Sequence, residues 1–174
     1  MPQLLDQLRE CLRGRYCLMG LGNTDYGDDG FGVRLAEQLF EAGVADVVVA
    51  GANPERYISC AAENVDNLVF LDAVEFEGEP GSVTLLNAEE MTARFPQVST
   101  HKISLGLLAK CAESNGITKA WLLGVQPESI RQGQGLTPTI EKTLAALCDL
   151  ISDSSRLKQP EEHRTILATA EVNA

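Results

Sequence analysis

GLGNTDYGDDGFG, residues 20–32, follows the apolar run RYCLMG and leads into the amphipathic run FGVRLAEQLFEAG. An apolar strand, a glycine-rich turn and a helix in that order open a parallel α/β unit. The turn has the glycine content of a phosphate loop. It also carries Asp25, Asp28 and Asp29, whose charges oppose an anion at a helix N-terminus. The dinucleotide fingerprint GxGxxG needs glycine at position 25 and finds Asp25, so a nucleotide-binding reading is disfavoured. A calcium loop begun at Asp25 puts Gly27 at a ligand position and Ala36 where a bidentate glutamate belongs. One aspartate suffices to cap a helix and complement its dipole. Three within five residues point instead to a cation.

Outward from this loop the pattern alternates. LLDQLRECL reads as a helix with Leu4, Leu5, Leu8 and Leu12 on one face. In FGVRLAEQLFEAG, Leu35, Leu39 and Phe40 share a side and Gly43 stops the helix. VADVVVA, NLVFLDA and KAWLLGVQP read as strands, and Pro54 opens a short helix over ERYISCAAEN. AEEMTARF is another short helix. HKISLGLLAKCAESNG is a helix capped by the preceding Ser99 and Thr100. TPTIEKTLAALCDLIS takes Thr137 as cap and Pro138 as first residue, with Ile140, Leu144, Leu147 and Ile151 inward. PGSVTLLN follows NLVFLDA too closely for a crossover helix, which predicts an antiparallel edge strand. The expected fold class is α/β: a three-layer α/β/α sandwich on a mostly parallel sheet. A single domain is expected over residues 1–153, with 154–174 a loosely held tail.

Composition narrows the function classes. The net charge of −11 over 174 residues opposes nucleic-acid binding. No segment has the length of a membrane span, and the N-terminus lacks a signal-peptide pattern. The five cysteines show no CxxC pairing. Cys60, Cys111 and Cys148 sit in helical patterns beside apolar residues, which reads as small buried residues in a reducing cytoplasm rather than zinc ligands or disulfides. A monomer is expected.

In a parallel α/β sheet, function collects beyond the carboxyl ends of the strands. Asn23 lies just past the first strand, Asp72 ends NLVFLD, Gln126 ends WLLGVQ, and His101 stands in the polar turn before a helix. Asp29, Asp72 and His101 come from three segments, all predicted on one edge. Two carboxylates and an imidazole form an incomplete oxygen and nitrogen ligand set, leaving positions open for water, substrate or a metal delivered by a partner. GxSxG and HExxH are absent, and Ser104 has no evident base partner. Hydrolysis at such a site would use a water polarised by metal or carboxylate, with Asp29 and Asp72 each available as ligand or general base. Asp28 and Gly30 are assigned to the shape of the loop or to support behind the ligands. Asn23 either orients a ligand or holds the turn; Gln126 either binds a peptide backbone or, the favoured reading, ends its strand. Gly20, Gly22, Gly27 and Gly30 are expected to let the backbone turn and approach a substrate closely.

At these residues the sequence resembles the hydrogenase maturation endopeptidases, which remove a C-terminal extension from the large subunit of nickel-iron hydrogenases. The loop is similar to their opening motif, roughly G-x-G-N-x-L-x-x-D-D-G-x-G. VFLDAVEFEGEPGSVTLL, STHKISLGLLA and LLGVQPESI are similar to further blocks in the same order. The similarity spans about residues 15–150. It implies a twisted five-stranded sheet flanked by helices. It also implies that Asp29, Asp72 and His101 contact nickel already placed in the large-subunit precursor, so that the metal reports completed cofactor assembly. Asp25 departs from the family, which has an apolar residue there, and it adds negative charge near the site. The segment beyond Asp153 has no family counterpart. The competing reading is a non-catalytic nickel-binding assembly chaperone that uses the same three residues.

Overall fold

A computed structural model describes residues 2–95 and 104–156. Its centre is β1 (Tyr16–Leu21), the apolar run that precedes the glycine loop. β1 pairs in parallel with β2 (Val47–Gly51) on one side and β3 (Asn67–Ala73) on the other. β3 pairs in parallel with β5 (Lys119–Val125), and β4 (Val83–Asn87) closes the edge antiparallel to β5. The order is therefore β2-β1-β3-β5-β4. The short connection after β3 does make an antiparallel edge strand, as its length requires. Its partner is β5, which leaves both edges of β3 to parallel neighbours.

Successive side chains along each strand point to opposite faces, and two separate cores result. Leu18, Val69 and Leu71 face one core with Phe31, Leu35 and Leu39 of α2 (Phe31–Glu41). That layer is completed by α1 (Pro2–Cys11) and α6 (Pro138–Arg156). Met19, Leu68 and Phe70 face the other core, under α3 (Ile58–Ala61), α4 (Ala88–Arg94) and α5 (Leu105–Ala112). Burial on both faces explains why β3 reads as a continuous apolar run rather than an alternating one. The three-layer sandwich and its five-stranded sheet agree with the sequence.

Several local readings change. Leu5 is 39% exposed, so the buried side of α1 is Leu8 and Cys11, continued by Leu12 just past its end, with Leu4 partly covered. The segment after Pro54 forms a 3-10 turn (Pro54–Arg56) and a four-residue helix, shorter than the ten-residue pattern suggests. α5 begins at Leu105 because Ser104 is extended and its hydroxyl accepts the Leu107 N–H. The caps expected at residues 99 and 100 lie outside the described residues. α6 keeps Ile140, Leu144, Leu147 and Ile151 inward as predicted. It runs on to Arg156, where Ser155 and Tyr16 share a 2.6 Å hydrogen bond, so residues 154–156 belong to the helix rather than to a tail. Cys60 and Cys111 are exposed and Cys148 half-buried; the buried thiols are Cys11 and Cys17. A helical pattern beside apolar residues does not fix which side of a four- or eight-residue helix meets the sheet. Among the described residues no helix is long and apolar enough to cross a membrane.

Candidate functional site

The chain leaves β1 through α2 toward β2, on one side, while the chain that follows β3 builds the opposite half of the sheet. The loops beyond β1 and β3 thus diverge, and a crevice opens between them, the usual ligand position in such sheets. Glycine sets how closely the walls approach. A Cβ at Gly32, in the first turn of α2, would stand 1.9 Å from the Leu71 carbonyl oxygen and 2.6 Å from that of Leu21. Only glycine lets α2 begin between the ends of β1 and β3. That contact places the turn bearing Asp29 beside the strand end bearing Asp72.

Residues 22–30 form a compact turn. Gly22 has φ +110°, a conformation that other residues avoid. A Cβ there would stand 1.8 Å from the Asp29 carbonyl oxygen and 3.7 Å from Asp29 Oδ2. Asp29 Oδ2 accepts the Asn23 N–H at 2.8 Å. Asn23 Oδ1 accepts the Asp25 N–H at 2.9 Å, so this side chain holds the turn. Gly30 closes the 3-10 turn Gly27–Gly30, where a Cβ would meet Thr24 Cα at 2.9 Å. At Gly22, Gly30 and Gly32 the close approaches are to the chain's own backbone, so these glycines let the loop fold tightly on itself. Asp25 is exposed.

Asp72 lies one residue past the Gly20–Leu71 pair, and its Oδ1 accepts the Ala73 N–H at 2.9 Å. It lines a cleft of about 590 Å³ together with Gly22, Glu75, Arg94, Phe95 and Ser104. Leu21, Val74, Leu105 and Leu108 give the cleft an apolar wall. Asp29 is not part of the lining; its carboxylate stands beside Gly22, whose backbone is. Asp72 thus lines the cleft, while Asp29 and the Asn23 N–H that it accepts stand beside the Gly22 wall rather than in it. His101 lies outside the described residues, and the described residues that flank it, Phe95 and Ser104, both line the cleft. Among the described residues no three His, Cys, Asp or Glu side chains gather as a metal site.

Two polar side chains beside the site do structural work. Asp28 is fully buried and turns away from the cleft, onto residues 128–137. Gln126 is 5% exposed; its Oε1 accepts the Phe76 and Gly78 N–H groups, and its Nε2 donates to Glu75 Oε2 at 2.7 Å. It holds the loop that follows Asp72. Nothing in the sequence pointed to Arg94 or Phe95 at the cleft, because neither ends a strand nor stands in the glycine loop.

Fold and site together define a three-layer α/β protein with acidic residues at the switch point of a parallel sheet, beside a cleft with an apolar wall. The family profile HycI, hydrogenase maturation protease, matches residues 33–154, a range that contains Asp72 and His101 and begins just after the acidic loop. The Hydrogenase 2 maturation protease of Escherichia coli is 31% identical over 135 residues, 73% of this chain and 82% of that protein. The Escherichia coli Hydrogenase 3 maturation protease is 29% identical over 116 residues, 65% of this chain and 73% of that protein. The crystal structure of the [NiFe] hydrogenase maturation protease HycI from Thermococcus kodakarensis superimposes with TM-score 0.75 at 30% identity, covering 86% of this chain and 99% of that one. The hydrogenase maturating endopeptidase HybD from Escherichia coli superimposes with TM-score 0.68 at 28% identity, covering 83% and 93%. The chain belongs to the hydrogenase maturation protease family, and so to the hydrolases.

Proposed function

We propose that this protein is the endopeptidase that removes the C-terminal extension of a nickel-iron hydrogenase large-subunit precursor after nickel insertion. Asp29, Asp72 and His101 contact the nickel, which arrives as part of the precursor. The observation that carries this reading is the placement of Asp72 on the cleft, with Asp29 behind Gly22 at the same strand edge. The residues on either side of the segment containing His101 line the same cleft. An open cleft with an apolar wall suits an extended peptide better than a compact metabolite.

In the proposed reaction a water oxygen adds to the scissile carbonyl carbon. A carboxylate of the Asp29–Asp72 pair takes the water proton and returns it to the departing amide nitrogen, and the C–N bond breaks to leave a new carboxylate and a new amine. The nickel acts as a recognition element: a precursor without it presents nothing for two carboxylates and an imidazole to bind. Such a pairing of oxygen and nitrogen donors suits a divalent transition metal. The expected compartment is the cytoplasm, and the expected working form is a monomer.

The test is the intact mass of a nickel-loaded large-subunit precursor after incubation with the purified protein, with a nickel-free precursor in parallel. Loss of the extension from the loaded precursor alone supports the proposal. An unchanged mass together with a stable complex overturns it in favour of the assembly chaperone.

A further inference from the structure

Asp28 is the only fully buried charged side chain among the described residues. Its Oδ2 accepts the N–H groups of Glu128 at 2.9 Å and Ser129 at 2.8 Å, and the Thr137 hydroxyl at 3.1 Å. Its Oδ1 accepts the Thr137 N–H at 2.7 Å. The backbone reinforces the contact: Asp28 N–H donates to Ser129 O, Gly27 N–H to Gln134 O, and Gly133 N–H to Asp25 O. A buried carboxylate is costly unless its lone pairs are filled. Four donors and the start of α6, where the helix dipole favours negative charge, fill them here.

None of this serves the helix that Asp28 precedes. α2 has Gly30 at its N-cap, with no side-chain cap bond. The Asp28 carboxylate instead binds a segment about one hundred residues away. The next residue faces the opposite way: Asp29 accepts the Asn23 N–H at the edge of the cleft. The two side chains of one 3-10 turn are therefore fastened on opposite sides.

We infer that Asp28 is a positioning residue for Asp29, and that residues 128–137 are through it a working part of the site. This rests on the reading of Asp29 as a working carboxylate. A carboxylate that must meet a metal presented by a partner protein gains from a turn that does not reorganise on contact, since small misplacements cost rate steeply. The N–H groups of Glu128, Ser129 and Thr137 hold that turn from behind.

The test is Asp28→Asn in the full-length protein, which keeps the shape of the side chain but turns one acceptor into a donor facing N–H or O–H groups. Two quantities are read: precursor processing under saturating and limiting precursor, and amide hydrogen exchange by NMR. The expected result is a kcat lower by about 10- to 100-fold with KM changed by less than about threefold. The Asn23 amide, which donates to Asp29, loses protection along with those of Glu128, Ser129 and Thr137. Faster exchange at residues 128–137 with Asn23 protection and kcat at wild-type values overturns the proposal and leaves Asp28 a structural pin. If Asp28→Asn does not fold, Thr137→Val removes a single donor, and the same two readouts decide. Should the wild-type protein leave the precursor uncut, the functional reading fails, while the Asn23 amide still decides whether Asp28 fixes Asp29.

Discussion

Gly32 sits against the end of β3 so closely that a methyl group on it would stand 1.9 Å from the carbonyl oxygen of Leu71. The contact is with backbone, which cannot rotate away as a side chain can. Gly32→Ala is therefore expected to lift α2 from the sheet and cost about 3 kcal/mol or more. Urea unfolding measures this as a lower midpoint at unchanged slope. An unaltered midpoint would mean that α2 does not enter the sheet where it is described.

Asp29→Asn and Asp72→Asn keep the size of each side chain and remove its charge. Each is expected to lower processing of the nickel-loaded precursor by at least about 100-fold, the scale of a lost acid–base group. His101→Ala is expected to do the same. Melting temperature is the control, because neither Asp29 nor Asp72 is among the buried core residues. Three single variants that all process at the wild-type rate would refute the proposed triad.

Gln126→Leu fills a similar volume and abandons three hydrogen bonds. The N–H groups of Phe76 and Gly78 lose their acceptor, and Glu75 loses its donor. The expected loss is about 2 kcal/mol, since buried donors are left unmatched. Chemical denaturation gives the number. Exchange of the Phe76 and Gly78 amides locates it, and unchanged protection there would show that the clamp is dispensable.

Burial pushes the Cys17 thiol up from 9.0 to about 12, with further upward contributions from Asp46 and Cys60. A group raised in the folded state leaves stability intact below its unfolded pKa. Stability is then lost as pH climbs from about 9 toward 12, where only the unfolded chain ionises. Cys17→Ala should flatten that part of the alkaline limb in denaturation curves. At pH 8 a thiol reagent is expected to label exposed Cys60 and Cys111 first, and Cys11 and Cys17 only on unfolding. Peptide mapping distinguishes the four; early label on Cys17 would contradict its burial.

The sheet and its helices were legible because their signal is local. CLMG and LVFL are unbroken apolar cores of their strands, and Ile140, Leu144, Leu147 and Ile151 repeat at helical spacing. Each pattern needs only a window of about ten residues to be read. The antiparallel edge was legible too, from the shortness of one connection. Exposure of Leu5, Cys60 and Cys111 was not, because short helices present their faces according to neighbours that no window contains. At the site, Asp72 could be read from its position at a strand end and the Asp28–Asp29 pair from the loop. The resemblance separated the two, giving Asp29 to the site and Asp28 to support behind it, but the full burial of Asp28 against residues 128–137 could not be read. The two side chains are chemically identical, and only the direction of the turn buries one of them.

The sequence by itself determined the α/β layering, the place of Asp72 at a strand end and the acidic character of the loop, since each follows from composition and period within a short stretch. The tertiary structure decided the strand order β2-β1-β3-β5-β4, the entry of Gly32 between two strand ends, the cleft wall with Arg94 and Phe95, and the bond from Asp28 to Thr137. Those depend on which segments far apart in the chain become neighbours. That choice is made by how side chains and hydrogen-bonding groups fit in three dimensions, and no local pattern records it.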